Sequence, residues 1–152
     1  MTMSPDIEQT ILHYYPQRAL VSPLDDENIS WDYDSDYRSL KSLLSDLERV
    51  DPELRPGTRG SYDISEELVI FGALRLQVSY IGPFAALNYG LPSDLDENGR
   101  ANLRMVEGLL KKHGFQILND EALDEVVPWI QHGTHTGTQA TVWNCLFVHP
   151  DA

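Results

Sequence analysis

The stretch Leu74-Arg-Leu-Gln-Val-Ser-Tyr80 decides the fold of this chain, because its even-numbered positions are apolar and the positions between them are polar. This period of two predicts a strand with one buried face. Residues 67–71 are either an earlier part of the same strand or its partner, with a bulge or bend at Gly72. After a break at Gly82-Pro83, residues 84–89 are expected to return as a second strand.

Helices are predicted on both sides of these strands, where apolar residues recur at helical spacing. The first begins with a Ser4 cap and Pro5 and stops at Pro16, while Gly114 provides the left-handed end of a later one. The remaining elements are predicted from shorter patterns. Helices are expected over residues 36–50, 97–113 and 121–127, and strands over residues 115–118 and 141–148. Asp34 or Ser35 is expected to cap the helix over 36–50, and Pro128-Trp129 is expected to end the helix over 121–127. The sequence therefore predicts an α+β domain with a mainly antiparallel sheet of about four strands and three to four helices.

The length and the cysteine content indicate the number of domains and the cellular compartment. The 152 residues match one ordinary domain, so we expect a single domain over residues 1–152. The single cysteine, Cys145, excludes an internal disulfide framework and favours a reducing compartment. The first residues show no secretory pattern, and the polar run 131–139 interrupts the uncharged segment 126–150, so no membrane span is predicted. A cytoplasmic location is expected.

The formal net charge is −13, and it is concentrated at both ends of the chain. Residues 1–67 hold 15 acids and 6 bases, residues 68–112 are nearly neutral, and no Lys or Arg follows Lys112. Such a field repels phosphate backbones and anionic lipids, so neither nucleic-acid nor membrane binding is expected. It attracts a basic protein or metal ions, although an acid excess that serves only solubility explains the charge equally well.

The sequence contains no complete catalytic or cofactor motif. It lacks the Gly-x-Ser-x-Gly elbow and both glycine-rich phosphate loops, so no cofactor is predicted. Residues 94–99 match the first half of a calcium loop, but Met105 occupies the position of the bidentate glutamate. The same residues fit the capped start of a helix better. Cys145 is interpreted as a small buried hydrophobic residue on one face of the last predicted strand, with Trp143 and Phe147.

Two clusters remain as candidate sites. The segment 25–36 has six acids and no base, and its aromatic residues could serve as apolar anchors within a charged rim. Alternatively, Trp31 folds back and holds the segment to the core. The predicted partner-binding residues are Asp25, Asp26, Glu27, Trp31, Asp32, Tyr33, Asp34 and Asp36. We expect Glu121, Asp124 and Glu125 to form a second acidic patch.

Histidines close to the carboxyl terminus form the other candidate. His132 and His135 lie three residues apart, and His149 follows further along the chain. Imidazoles at this spacing are typical ligands of zinc or nickel, although such a site needs three or four converging donors. The alternative function is therefore a small metal-binding protein or metal-dependent enzyme that uses these three histidines.

In size, charge and missing catalytic motifs the chain resembles small acidic bacterial inhibitor or immunity proteins, which neutralise a cationic toxin by covering its active cleft. The likeness implies a non-enzymatic protein-interaction module that binds a basic partner. It assigns no residues, because it rests on overall character and on no motif. A structural or regulatory subunit with a purely solubilising charge is the third interpretation. The oligomeric state and the order of the strands are not determined by these patterns.

Overall fold

The computed structural model describes residues 3–14, 33–57, 65–91, 94–131 and 139–147. Within these residues the chain forms five helices and seven strands. The helices are α1 (Pro5–Tyr14), α2 (Tyr33–Val50), α3 (Glu97–Lys112), α4 (Asp120–Leu123) and α5 (Val142–Leu146). The strands are β1 (Arg55–Pro56), β2 (Ser65–Ile70), β3 (Leu74–Ser79), β4 (Phe84–Leu87), β5 (Gln116–Ile117), β6 (Val126–Gln131) and β7 (Gln139–Thr141).

The main sheet has five strands in the order β1-β2-β3-β4-β5. All neighbours are antiparallel except β4 and β5, which run parallel. The sequence left open whether 67–71 extends β3 or pairs with it, and the structure shows that β2 is its antiparallel partner. The chain reverses at Gly72 with a φ of 70°, so the bend is a tight turn. The predicted α+β class with a mainly antiparallel sheet is confirmed.

Helices α2 and α3 cover one face of the main sheet. The side chains of Leu74, Leu76 and Val78 point to this face, as the period of two predicts, and each is at most 1% exposed. They pack against buried leucines of α2 and against Val106 and Leu110 of α3. Helix α3 begins as predicted, because the Asp96 side chain accepts a hydrogen bond from the Gly99 N–H, and it is followed by Gly114 with a φ of 81°.

The opposite face of the sheet is covered at one end by α1, α4, α5 and the β6–β7 hairpin, which share a second apolar cluster. Two buried serines connect this layer to the sheet. The Ser65 hydroxyl donates to the carbonyl of Phe147 over 2.9 Å, and the Ser79 hydroxyl donates to the carbonyl of Leu146 over 2.6 Å. Because Ser65 and Ser79 lie opposite each other on β2 and β3, the sheet holds the carboxyl end of α5 at two adjacent points.

Two predicted elements near the carboxyl terminus are wrong. The expected helix 121–127 ends at Leu123, and Pro128 and Trp129 lie inside strand β6 instead of terminating a helix. The expected strand 141–148 is mostly the helix α5, whose start is capped by reciprocal hydrogen bonds between Thr141 and Asn144. Short apolar runs suit a buried strand and a buried helix equally, and here the local cap decides between them.

The amino-terminal helices agree more closely with their predictions. Ser4 caps α1 through the Ile7 N–H, as expected. Helix α2 begins at Tyr33, before the predicted start at Asp36, so the proposed caps Asp34 and Ser35 lie within the helix. No helix in the described ranges is long and apolar enough to cross a bilayer.

Candidate protein-interaction surface

The sequence-predicted sites lie largely outside the described residues. Asp25, Asp26, Glu27, Trp31 and Asp32 fall outside them, as do all three candidate metal ligands, His132, His135 and His149. Tyr33, Asp34 and Asp36 belong to the first turn of α2, which places their backbone on a helix. Both candidate sites therefore stay predictions. Among the described residues, no group of three His, Cys, Asp or Glu side chains could hold a metal ion.

The second acidic patch lies within the described structure. Residues 120–125 carry four carboxylates in six positions: Asp120, Glu121, Asp124 and Glu125, named the acidic ridge below. The first three are exposed and Glu125 is half-buried. Asn119 caps α4 by accepting a hydrogen bond from the Ala122 N–H over 2.8 Å, which fixes the ridge on a helical turn. In the described part of the chain, none of the four carboxylates forms an ion pair with Lys, Arg or His.

An aromatic stack supports the ridge from one side. The Tyr89 hydroxyl donates a hydrogen bond to the Asp124 carboxylate. The Tyr89 ring stacks on Trp143 at a centroid distance of 4.3 Å, and Trp143 stacks on the buried Phe147 at 5.0 Å. Burial raises the pKa of Tyr89 above its usual value, and the hydrogen bond to Asp124 raises it further. The ridge is thus attached to the core through a rigid row of rings.

An apolar groove adjoins the ridge. Its volume is about 490 Å³, and it lies between the end of β4, the part of α3 from Arg100 to Glu107 and the β5–α4 connection. Asn88 adopts a φ of 53°, and its side chain accepts a hydrogen bond from the Arg75 N–H, so the chain turns away from the sheet at this point. The apolar lining of the groove comes from Leu87, Leu91, Leu95, Leu103, Ile117 and Leu118.

Three charged side chains also line the groove, namely Arg100 and Glu107 of α3 and Asp120 of the acidic ridge. Arg100 and Glu107 lie two turns apart on one face of the helix. The Arg100 Nε donates a hydrogen bond to the Leu95 carbonyl over 3.1 Å, which holds this side chain along the wall. Asp120 belongs to both the groove and the ridge, so the two features form one continuous surface.

A second cleft, of about 580 Å³, lies between α1 and the end of α3. It is bordered by Asp6 of α1 and Lys111 of α3, and its walls mix polar and apolar atoms. It carries one acid and one base, whereas two carboxylates and one cation line the groove. It is a weaker candidate than the groove beside the acidic ridge.

The side chains of Cys145, His113 and Asp46 are capable of nucleophilic or acid–base chemistry, and each is either buried or engaged in contacts that join α2 to the end of α3. Cys145 is fully buried, as predicted, but it lies on helix α5 and not on a strand, and burial raises the pKa of its thiol. Lys112, the last residue of α3, and His113, which follows it, both contact the Asp46 carboxylate of α2, at 3.0 and 2.7 Å. These hydrogen bonds, first from His113 and then from Lys112, hold the pKa of Asp46 below its usual value. The Asp46 cluster therefore ties two helices together.

The sequence predicted three of the four carboxylates of the acidic ridge, but neither Asp120 nor the groove was predicted. Leu91 and Leu95 belong to neither a helix nor a strand, so no periodic pattern drew attention to them. Leu91 is 40% exposed in the structure. Its position between Gly90 and Pro92, in a turn region where an apolar residue has no helix or strand to pack with, was the available sign of an exposed apolar surface. Comparison of the chain with protein-family models, with curated proteins and with solved structures finds no match.

Proposed function

We propose that this protein is a non-enzymatic interaction module, an inhibitor or immunity-type protein that binds a basic protein. The observation that carries the proposal is the acidic ridge, where four carboxylates within six residues have no cationic partner among the described residues. Carboxylates packed this closely repel one another, and a basic protein surface would relieve that repulsion. The acidic segment 25–36 adds six carboxylates to the net negative charge of the chain.

The surroundings of the chemically capable side chains support a binding role over catalysis. A buried thiol with a raised pKa is a poor nucleophile, which argues against Cys145 as a catalytic residue. His113 and Asp46 resemble the paired members of a catalytic triad, but Lys112 and Arg49 also contact the Asp46 carboxylate. Such a cluster joins the two helices, and no hydroxyl or thiol takes part in it among the described residues.

Capture of the partner at two salt concentrations tests the proposal. The purified protein would be immobilised and exposed to lysate of its native host at about 0.01 M and about 1 M salt, where the Debye length is about 30 Å and about 3 Å. We expect one basic protein to bind at low salt and to be lost at high salt. Mass spectrometry would identify it, and purified partner would then be used to measure association rates.

Charge-reversal variants identify which acidic residues contact the basic partner. Replacing Glu121 and Asp124 of the ridge with lysine should slow association at low salt by about tenfold, because steering depends on the local field. Reversal of Asp32, Asp34 and Asp36 tests the sequence-predicted patch in the same way. The matched control is Glu48→Lys on the exposed surface of α2. Equal rates for all variants, or capture that salt does not affect, would refute electrostatic recognition of a basic partner.

A further inference from the structure

We infer that the apolar groove is the docking site for an apolar anchor side chain of a basic partner segment, whose lysines or arginines contact the acidic ridge. The inference rests on the proposed function and specifies where on the protein the partner binds. It joins two features that share Asp120: a groove of about 490 Å³ and a row of carboxylates that form no ion pair with another described residue.

The groove has the size and lining of a binding site. Pockets that take small ligands or side-chain anchors commonly measure about 300–1,000 Å³ and are mostly apolar with a few placed polar groups. Here the apolar wall consists of aliphatic side chains, and Leu91 keeps 40% of its surface exposed at the rim. An inserted apolar side chain would remove this surface from water, which is the usual role of an interface anchor.

The carboxylates in and beside the groove favour a basic partner segment as its occupant. Glu107 and Asp120 line the groove, and Glu121 and Asp124 extend the negative charge beyond it. The only cation in the described lining, Arg100, donates its Nε–H to the Leu95 carbonyl and lies along the wall. A second copy of this chain would bring a net charge of −13 against −13, so self-association through the groove is disfavoured. A basic segment with an apolar anchor complements both parts of the surface.

Three short synthetic peptides test the inference on the full chain. The first combines leucine with lysine at helical spacing, the second replaces each leucine with alanine, and the third replaces each lysine with glutamate. Binding would be followed by the methyl resonances of the groove leucines in an isotope-labelled protein. We expect the leucine–lysine peptide to shift the resonances of Leu91, Leu95 and Leu103. The alanine–lysine peptide should bind more weakly and leave these resonances in place.

Surface variants with matched controls complete the test. Leu91→Glu and Asp120→Lys change exposed positions of the groove, and each should weaken binding of the leucine–lysine peptide by about tenfold. The controls are Leu12→Glu and Glu8→Lys on the exposed side of α1, away from the groove lining. They carry the same chemical changes, and we expect them to bind as the unmodified chain does.

The outcomes separate this inference from the proposed function. If the alanine–lysine peptide binds as tightly as the leucine–lysine peptide, the ridge attracts cations without an anchor, and the groove assignment fails while the proposed function stands. Equal binding of the leucine–glutamate peptide would overturn the basic character of the occupant. Groove resonances that no peptide shifts would also overturn the inference. Failure of the proposed function shows separately, as a lysate from which no basic protein is captured at low salt.

Discussion

Asp51 provides the sharpest test of how the sheet is attached to its helices. It follows the last residue of α2, and its N–H donates to the Leu47 carbonyl. Its carboxylate is buried, with the residue 6% exposed, and it accepts the N–H of Phe71 over 2.6 Å and that of Glu53 over 3.1 Å. Asp51 therefore connects the end of α2 to the turn between β2 and β3.

The expected cost of Asp51→Ala follows from these two hydrogen bonds. A hydrogen bond to a charged group contributes about 1.5–3 kcal/mol to folding, and the shorter bond, to Phe71, carries most of this. Phe71 also adopts a φ of 55°, which a residue with a side chain rarely adopts, so the turn depends on an external contact. We expect Asp51→Ala to lower the free energy of unfolding by about 3 kcal/mol. For a chain of this size the Tm should fall by roughly 6–12 °C.

Urea unfolding followed by tryptophan fluorescence would measure this loss. Asp51→Asn retains one acceptor oxygen in nearly the same shape, so it should lose only about half as much stability as the alanine variant. Glu53→Ala is a suitable control, since its backbone N–H is preserved and its side chain is exposed. A loss below about 0.5 kcal/mol for Asp51→Ala, within the usual range of surface substitutions, would refute this reasoning.

Three further predictions concern contacts between elements. Because the pKa of Asp46 is lowered in the folded state, its contribution to stability is present above pH 3.8 and is lost as the pH falls through its folded-state pKa. The free energies of unfolding of the wild type and of Asp46→Asn should therefore converge as the pH is lowered. Ser79→Ala should cost about 1–3 kcal/mol in chemical denaturation, because a buried carbonyl of α5 loses its donor; an unchanged midpoint would contradict this. Because the pKa of Tyr89 is raised in the folded state, its contribution to stability is fully present below pH 10. This contribution is lost as the pH rises through the folded-state pKa. Ultraviolet titration should show Tyr89 ionising above pH 10, and Asp124→Asn should bring its pKa closer to 10.

Several parts of the fold could be predicted because the determining signals lie close together in the sequence. The alternation in residues 74–80 sets which side chains of β3 enter the core, and a slip of one residue would expose them all. The Ser4 and Asp96 caps and the left-handed Gly114 act within one helical turn, so the start of α1 and both ends of α3 follow from adjacent residues. The charge distribution is likewise a property of the sequence.

The carboxyl-terminal elements and the groove were decided by tertiary contacts. Residues 142–146 form a helix whose final carbonyls are held by two serines from β2 and β3, more than sixty positions away in the chain. The groove exists because Leu91, Leu103 and Ile117 come from a turn, a helix and a strand that meet only after folding. Local patterns determine periodicity and caps, whereas the choice between helix and strand in a short apolar run, and the shape of a surface, depend on which distant segments pack together.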